Sequence, residues 1–131
     1  MEITNTDMEE KKTENTGILR LKSLRFAVRI VNLSKYLREE KKEFTLSKQI
    51  LKSGTSIGAN LAESTAAFSR KDFLSKVYIS LKECSETLYW LELLRLTDYI
   101  SEEMYQSMQA DCEELRKMLS STTKTIQERR V

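Results

Sequence analysis

From residue 18 onward, apolar side chains recur at steps of three and four, the spacing of helices that bury one face. Leu19, Phe26, Ile30, Leu33 and Leu37 form one such stripe and predict a first helix from near Leu19 to Glu40. Leu21, Leu24, Val28 and Val31 form a second, separate stripe on the same segment. One stripe is enough to face a bundle core. A helix with two is either central in its fold or shared between chains. The polar run Glu39-Glu-Lys-Lys-Glu43 closes it.

Thr45 is the expected N-cap of a second helix, because a hydroxyl there can accept a bond from an otherwise unpaired backbone N–H. Leu46, Ile50, Ile57, Leu61 and Phe68 mark its core side, with an end between Ser64 and Phe68. Ser69, followed three residues later by Asp72, reads as the cap of a third helix. Phe73, Val77, Leu81, Cys84, Leu88 and Leu91 carry its core stripe, and Leu74, Tyr78, Tyr89, Leu93 and Leu96 widen it. Residues 97–100 form a short connection. Ser101 then caps a fourth helix, with Glu102 and Glu103 in its first turn, where the helix dipole favours negative charge. Met104, Met108, Cys112, Leu115, Leu119 and Ile126 continue the pattern, and Lys124, Arg129 and Arg130 suit the C-terminal end.

Four helices with short connections predict an all-α, antiparallel up-down-up-down four-helix bundle. The doubly apolar first helix adds a homo-oligomer of some kind to that expectation. Residues 17–131 form the bundle. Residues 1–16, in which Glu2, Asp7, Glu9, Glu10 and Glu14 outnumber Lys11 and Lys12, read as a flexible acidic tail with too little apolar surface to offset its ordering entropy.

Composition agrees with helices: the 131 residues hold no Pro and only three Gly, too few turn-formers for a sheet protein. The formal charge of +2 does not by itself argue for nucleic acid. With no His, and with Cys84 and Cys112 far apart in helical apolar patterns, there is no zinc set. Both cysteines read as small buried hydrophobes kept reduced, and no cofactor or metal is expected. No apolar run approaches the roughly 20 residues that span a bilayer. The N-terminus lacks a signal-peptide core. A cytoplasmic protein without a membrane partner is therefore expected.

Three constellations carry the functional expectations. Gly54, Gly58 and Ala62 lie four apart on one side of the second helix and predict close helix packing, within the chain or between chains. Each Gly inside a helix is about 1 kcal/mol worse than Ala, a loss that close approach can offset. Gln49, Lys52, Ser56, Asn60 and Glu63 form a polar stripe on the opposite side, read either as a hydrogen-bonding contact surface or as a solvated face. The first helix carries Arg20, Lys22, Arg25, Arg29, Lys35 and Arg38 and no acidic residue between Ile18 and Arg38. Lys22, Arg25 and Arg29 share one face and are the candidates for phosphate contact, with Lys52 adding to them. Their other reading is ion pairing with Glu102, Glu103, Asp111, Glu113 and Glu114 of the fourth helix. No catalytic set emerges: Ser56 and Glu63 are about two turns apart, and there is neither a Gly-rich phosphate loop nor a di-metal carboxylate pattern.

The run Ser56-Ile-Gly-Ala-Asn60-Leu-Ala-Glu63 resembles the Ser-Ile-x-x-Asn-Ile-Ala-Glu signature of four-helix-bundle proteins encoded in intervening sequences of bacterial 23S ribosomal RNA genes. The resemblance extends to Ser69-Arg-Lys-Asp-Phe73 and Ser85-Glu-Thr-Leu-Tyr89-Trp-Leu-Glu92. Ser64 stands where the family usually has Gly, and Lys52-Ser53 where Arg-Ala is usual. The resemblance implies a ring-like homopentamer related to the accessory variability determinants of diversity-generating retroelements, which look like basic, barrel-shaped pentamers that bind nucleic acid and a reverse transcriptase. The leading expectation is thus a non-enzymatic homo-oligomer that binds RNA or DNA through its basic first-helix face. The alternatives are a scaffold for a protein partner and, third, a bundle that holds a small molecule or metal.

Overall fold

A computed structural model describes the backbone of residues 5–128 and the side chains of residues 17–127. Four helices follow one another: α1 (Asn5–Glu39), α2 (Leu46–Ser64), α3 (Arg70–Leu96) and α4 (Glu102–Glu128). α1 packs against α2 and α4, and α3 packs against the same two, so that consecutive helices are neighbours and the chain runs up, down, up and down. The α1–α4 contact is the lightest of the four. Among the described residues, no helix is long and apolar enough to cross a membrane.

The core of α1, α2 and α4 is largely the set that the spacing predicts, whereas on α3 the buried line runs through Leu74, Val77, Cys84, Leu91 and Leu94, and Phe73, Leu81 and Leu88 pack beside it partly buried. Leu19, Phe26, Ile30, Leu33 and Leu37 of α1 are buried, as are Ile50, Ile57 and Leu61 of α2 and Val77, Cys84 and Leu91 of α3. Met108, Cys112, Leu115 and Leu119 close it from α4. On α2 the buried positions are Ser47, Ile50, Gly54, Ile57, Leu61 and Ser64, alternating steps of three and four, with Ser53 beside them. Serines and glycine occupy sites that larger apolar residues would ordinarily fill, so the neighbouring helices come close. Hydroxyls of the neighbouring helices bond across those contacts: Ser34 donates to Ser47 O (3.3 Å), Thr87 donates to Ser53 Oγ (2.9 Å) and Ser80 donates to Ile57 O (2.9 Å), while the Ser47 hydroxyl itself is buried without a partner among the described residues.

Three local expectations change. The backbone of residues 5–16, read from sequence as a flexible tail, continues α1; the first four residues of that tail lie outside the described residues. Extending an anchored helix avoids the nucleation penalty of an isolated one. Thr45 makes no side-chain cap bond. Glu43 caps α2 instead: its carboxylate accepts from the backbone N–H of Thr45 (2.9 Å), Leu46 (2.9 Å) and Ser47 (2.7 Å). A carboxylate reaches farther than a hydroxyl and adds charge complementarity to the helix N-terminus, which is why it displaces the threonine. Burial alone would raise the Glu43 pKa, but the bonds from Leu46, Ser47 and Thr45 outweigh it and hold the carboxyl below its usual range. Phe68, expected on the core side of α2, is 99% exposed, because α2 ends at Ser64 and residues 65–69 turn away from it before α3 begins. Arg129 and Arg130 lie outside the described residues.

The other two caps form as expected. Ser69 Oγ accepts from Asp72 N–H (3.1 Å), and Ser101 Oγ accepts from Met104 N–H (3.1 Å). α3 ends with Asp98 in the left-handed region (φ 65°), where Gly is usual, while Tyr99 N–H donates to Leu94 O (2.9 Å) and Asp98 N–H to Arg95 O (3.1 Å). That tight stop directs the chain into α4 and sets which α4 residues face α1.

Candidate functional site

The basic face of α1 turns toward α4. Lys22 pairs with Glu114. Arg29 pairs with Asp111 and also donates to Ser107 Oγ (2.7 Å) and Ser107 O (3.3 Å). Two of the three expected phosphate ligands are therefore engaged by acids less than one turn of α4 apart, as the ion-pairing alternative anticipates. Arg25 is exposed and, among the described residues, has no acidic partner; it borders a shallow recess of about 240 Å³ with Lys22, Phe26, Asp111 and Glu114. Lys52 does not join this group. It is exposed on α2, and its ammonium acts on Glu83 of α3.

The polar stripe of α2 is largely bonded to its own helix. Ser56 donates to Lys52 O (2.6 Å), and Asn60 Nδ2 donates to Ser56 O (2.8 Å). Glu63 pairs with Lys76 of α3 (2.7 Å), and Gln49 and Lys52 are exposed. Ser56 and Glu63 thus bond to different partners and do not form a nucleophile-base pair.

The small residues divide. A Cβ added at Gly54 would come within 2.6–2.8 Å of the Ile30 side chain, and one at Gly58 within 3.2 Å of Ser23 Oγ. Both glycines therefore serve the α1–α2 contact inside the chain. Ala62 is exposed instead. With Gly58, Ala59 and Thr55 it lines a groove of about 450 Å³, whose other wall is Leu21, Leu24 and Ala27 of α1. Leu21 and Leu24 lie on the second stripe noted in the sequence; the groove beside them was not anticipated, although the step from Thr55 to Ala59 to Ala62 was there to be read. Leu21 is 49% exposed, Leu24 62% and Val28 55%.

Cys84 and Cys112 are buried free thiols, and Cys112 Sγ lies 3.5 Å from Cys84 O. The bond with Cys84, and burial after it, push the Cys112 thiol far up, so it stays protonated and unreactive. Among the described residues, no three metal-ligating side chains converge. Sequence reasoning missed Ser107 as a partner of Arg29 because the α3–α4 turn alone sets which α4 residues meet α1.

The sequence model of the family described as "23S rRNA-intervening sequence protein" matches residues 18–121. A crystal structure of a protein with unknown function from the S23 ribosomal protein family of Bacteroides thetaiotaomicron VPI-5482 superposes with a TM-score of 0.83 at 55% sequence identity, covering 84% of this chain and 98% of that one. No curated protein matches the chain significantly.

Proposed function

Because the chain belongs to the 23S rRNA-intervening sequence protein family and its own fold leaves an apolar strip of the first helix uncovered, we propose that it is a non-enzymatic, self-assembling helical-bundle protein that acts by binding. The observation that carries this reading is the run of Leu21, Leu24 and Val28, each about half exposed or more, beside a groove floored by Gly58, Ala59 and Ala62. Scattered exposed leucines need no explanation, but a contiguous strip beside a groove marks a contact surface. The resemblance supplies the stoichiometry of the proposal, a pentamer. Two buried cysteines kept as thiols support a cytoplasmic setting. Sedimentation at micromolar concentration tests assembly: a particle several times 15.3 kDa is expected, shifting to the single chain when Leu21, Leu24 and Val28 are replaced by polar residues. A wild-type particle of single-chain mass removes the reading.

A second reading, RNA or DNA binding, is favoured by the absence of any acidic residue between Ile18 and Arg38 and by the exposure of Arg20 and Arg25. In an assembly this face repeats and its potential adds. Lys22 and Arg29 would exchange Glu114 and Asp111 for phosphates, and Lys52 would contribute from a separate surface. Binding then weakens steeply with salt. A gel-shift series in which the Lys22/Arg25/Arg29 triple-Ala variant binds RNA and DNA as tightly as wild type eliminates this reading.

A further inference from the structure

Two apolar strips lie on different helices of the bundle; the first is flanked by arginines, and the second is flanked by glutamates in its middle, around Tyr89. The first is Leu21, Leu24 and Val28 on α1, flanked by exposed Arg20 and Arg25. The second is on α3. Tyr78 is 40% exposed, Tyr89 59% and Leu96 64%. They follow one another at steps of eleven and seven residues, close to whole numbers of helical turns, so they share one side of α3 over about 27 Å. Around Tyr89, the α3 segment from Glu83 to Leu94 contains Glu83, Glu86 and Glu92 and no cation; Lys82 and Arg95 stand at its two ends, and Arg95 pairs with Glu102.

The carboxylates of this segment are poorly compensated within the chain. Burial and then the neighbouring Glu86 raise the Glu83 pKa, and Lys82 and Lys52 only partly offset that. Glu86 and Glu92 are exposed, and among the described residues neither has an ion-pair partner. The α1 strip lacks acids in the same way that this α3 segment lacks bases.

Resting on the self-assembly reading, we propose that copies associate head to tail, the α1–α2 groove of one chain receiving the outer face of α3 of the next, with Arg20 and Arg25 meeting Glu86 and Glu92. Pairing of the α1 strip with itself across a two-fold axis would set arginine against arginine, and pairing of the α3 strip with itself would set glutamate against glutamate. Only the unlike pairing brings opposite charges together around apolar centres. A contact between two different faces leaves each chain with one free donor and one free acceptor surface, so it builds a closed ring or an open filament and never stops at two.

Mixing two one-sided variants tests the pairing. Leu24→Asp disables the α1 face and leaves α3 intact; Tyr89→Asp does the reverse. Both sites are more than half exposed, and unchanged helical circular dichroism verifies the fold of each. Sedimentation should find each variant alone as a single chain, and the equimolar mixture as a dimer with one chain of each kind. If Tyr89→Asp assembles as wild type does, the α1 face pairs without α3 and the proposal is wrong while self-assembly survives. A mixture that stays monomeric overturns it as well. Wild type running as a single chain removes self-assembly itself, a result distinct from both.

Discussion

The first helix is held in unlike ways on its two flanks. Toward α2, Ile30 is fully buried and lies where a Cβ on Gly54 would have to go, Ser23 sits against Gly58, and Ser34 bonds to Ser47 O. Toward α4, besides the shared core, the link is ionic and half exposed: Lys22 with Glu114, and Arg29 with Asp111 and Ser107. Close-packed apolar contact is sensitive to a single methyl group. Ion pairs exposed to water contribute about 0–1 kcal/mol each and are screened by salt. The comparison teaches that α1 is fixed by α2, and that its α4 flank can change partners with little loss of fold.

The sharpest way to break this contrast is Ile30→Ala. It should lower stability by about 3 kcal/mol, read by denaturant unfolding, since it removes a fully buried side chain from the tight flank. Next is Glu43→Ala, which strips the α2 N-terminus of its acceptor and should cost about 2 kcal/mol. Because the folded Glu43 pKa is lowered, its contribution is present above the ordinary carboxylate range and is lost as pH falls through the folded value. The stability gap between wild type and Glu43→Gln should therefore be widest near neutrality and close on acidification; a gap that grows toward low pH contradicts this account of the cap.

Gly54→Ala should cost about 1 kcal/mol net, the crowding against Ile30 exceeding the gain in helix propensity. In an Ile30→Ala background the same change should turn stabilising, because the obstructing side chain is gone; additive behaviour of the two would show that Gly54 and Ile30 do not share the contact. The smallest effect belongs to the other flank. Asp111→Asn with Glu114→Gln should shift stability by less than about 1 kcal/mol, and by less still in high salt. A loss comparable with that of Ile30→Ala would mean that the ionic seam, and not α2, anchors the first helix.

The bundle was legible because its core obeys a local rule: each buried residue of α1 is announced by its neighbours three or four positions away. The second stripe of α1 was legible on the same ground, and its exposure fits the expectation that this helix has more apolar surface than its own chain covers. Glu43 was not, since it looks like the end of a charged run and takes its role only when the chain doubles back over it. Phe68 misled in the opposite direction, an apolar side chain in helical step with α2 but placed after α2 has stopped. The seam between α1 and α4 was half legible. Charge listed the possible acids, but choosing Asp111 and Glu114 among them depends on the angle at which the Asp98 turn launches α4, and no local pattern encodes that angle. The serines of α2 show the same limit from inside the core. They interrupt the hydrophobic pattern yet sit on its period, and the partners of Ser47 and Ser53, Ser34 and Thr87, become evident only when the helices meet.

Trp90 is the only tryptophan in the chain, and its ring lies edge-on to Tyr89 with centroids 5.1 Å apart. The molecule consequently carries its own optical gauge at the α3 edge. Were another chain to cover the α3 face as proposed, loss of water there would shift the emission of this partly buried indole toward the blue, so dilution with no label attached would follow that contact.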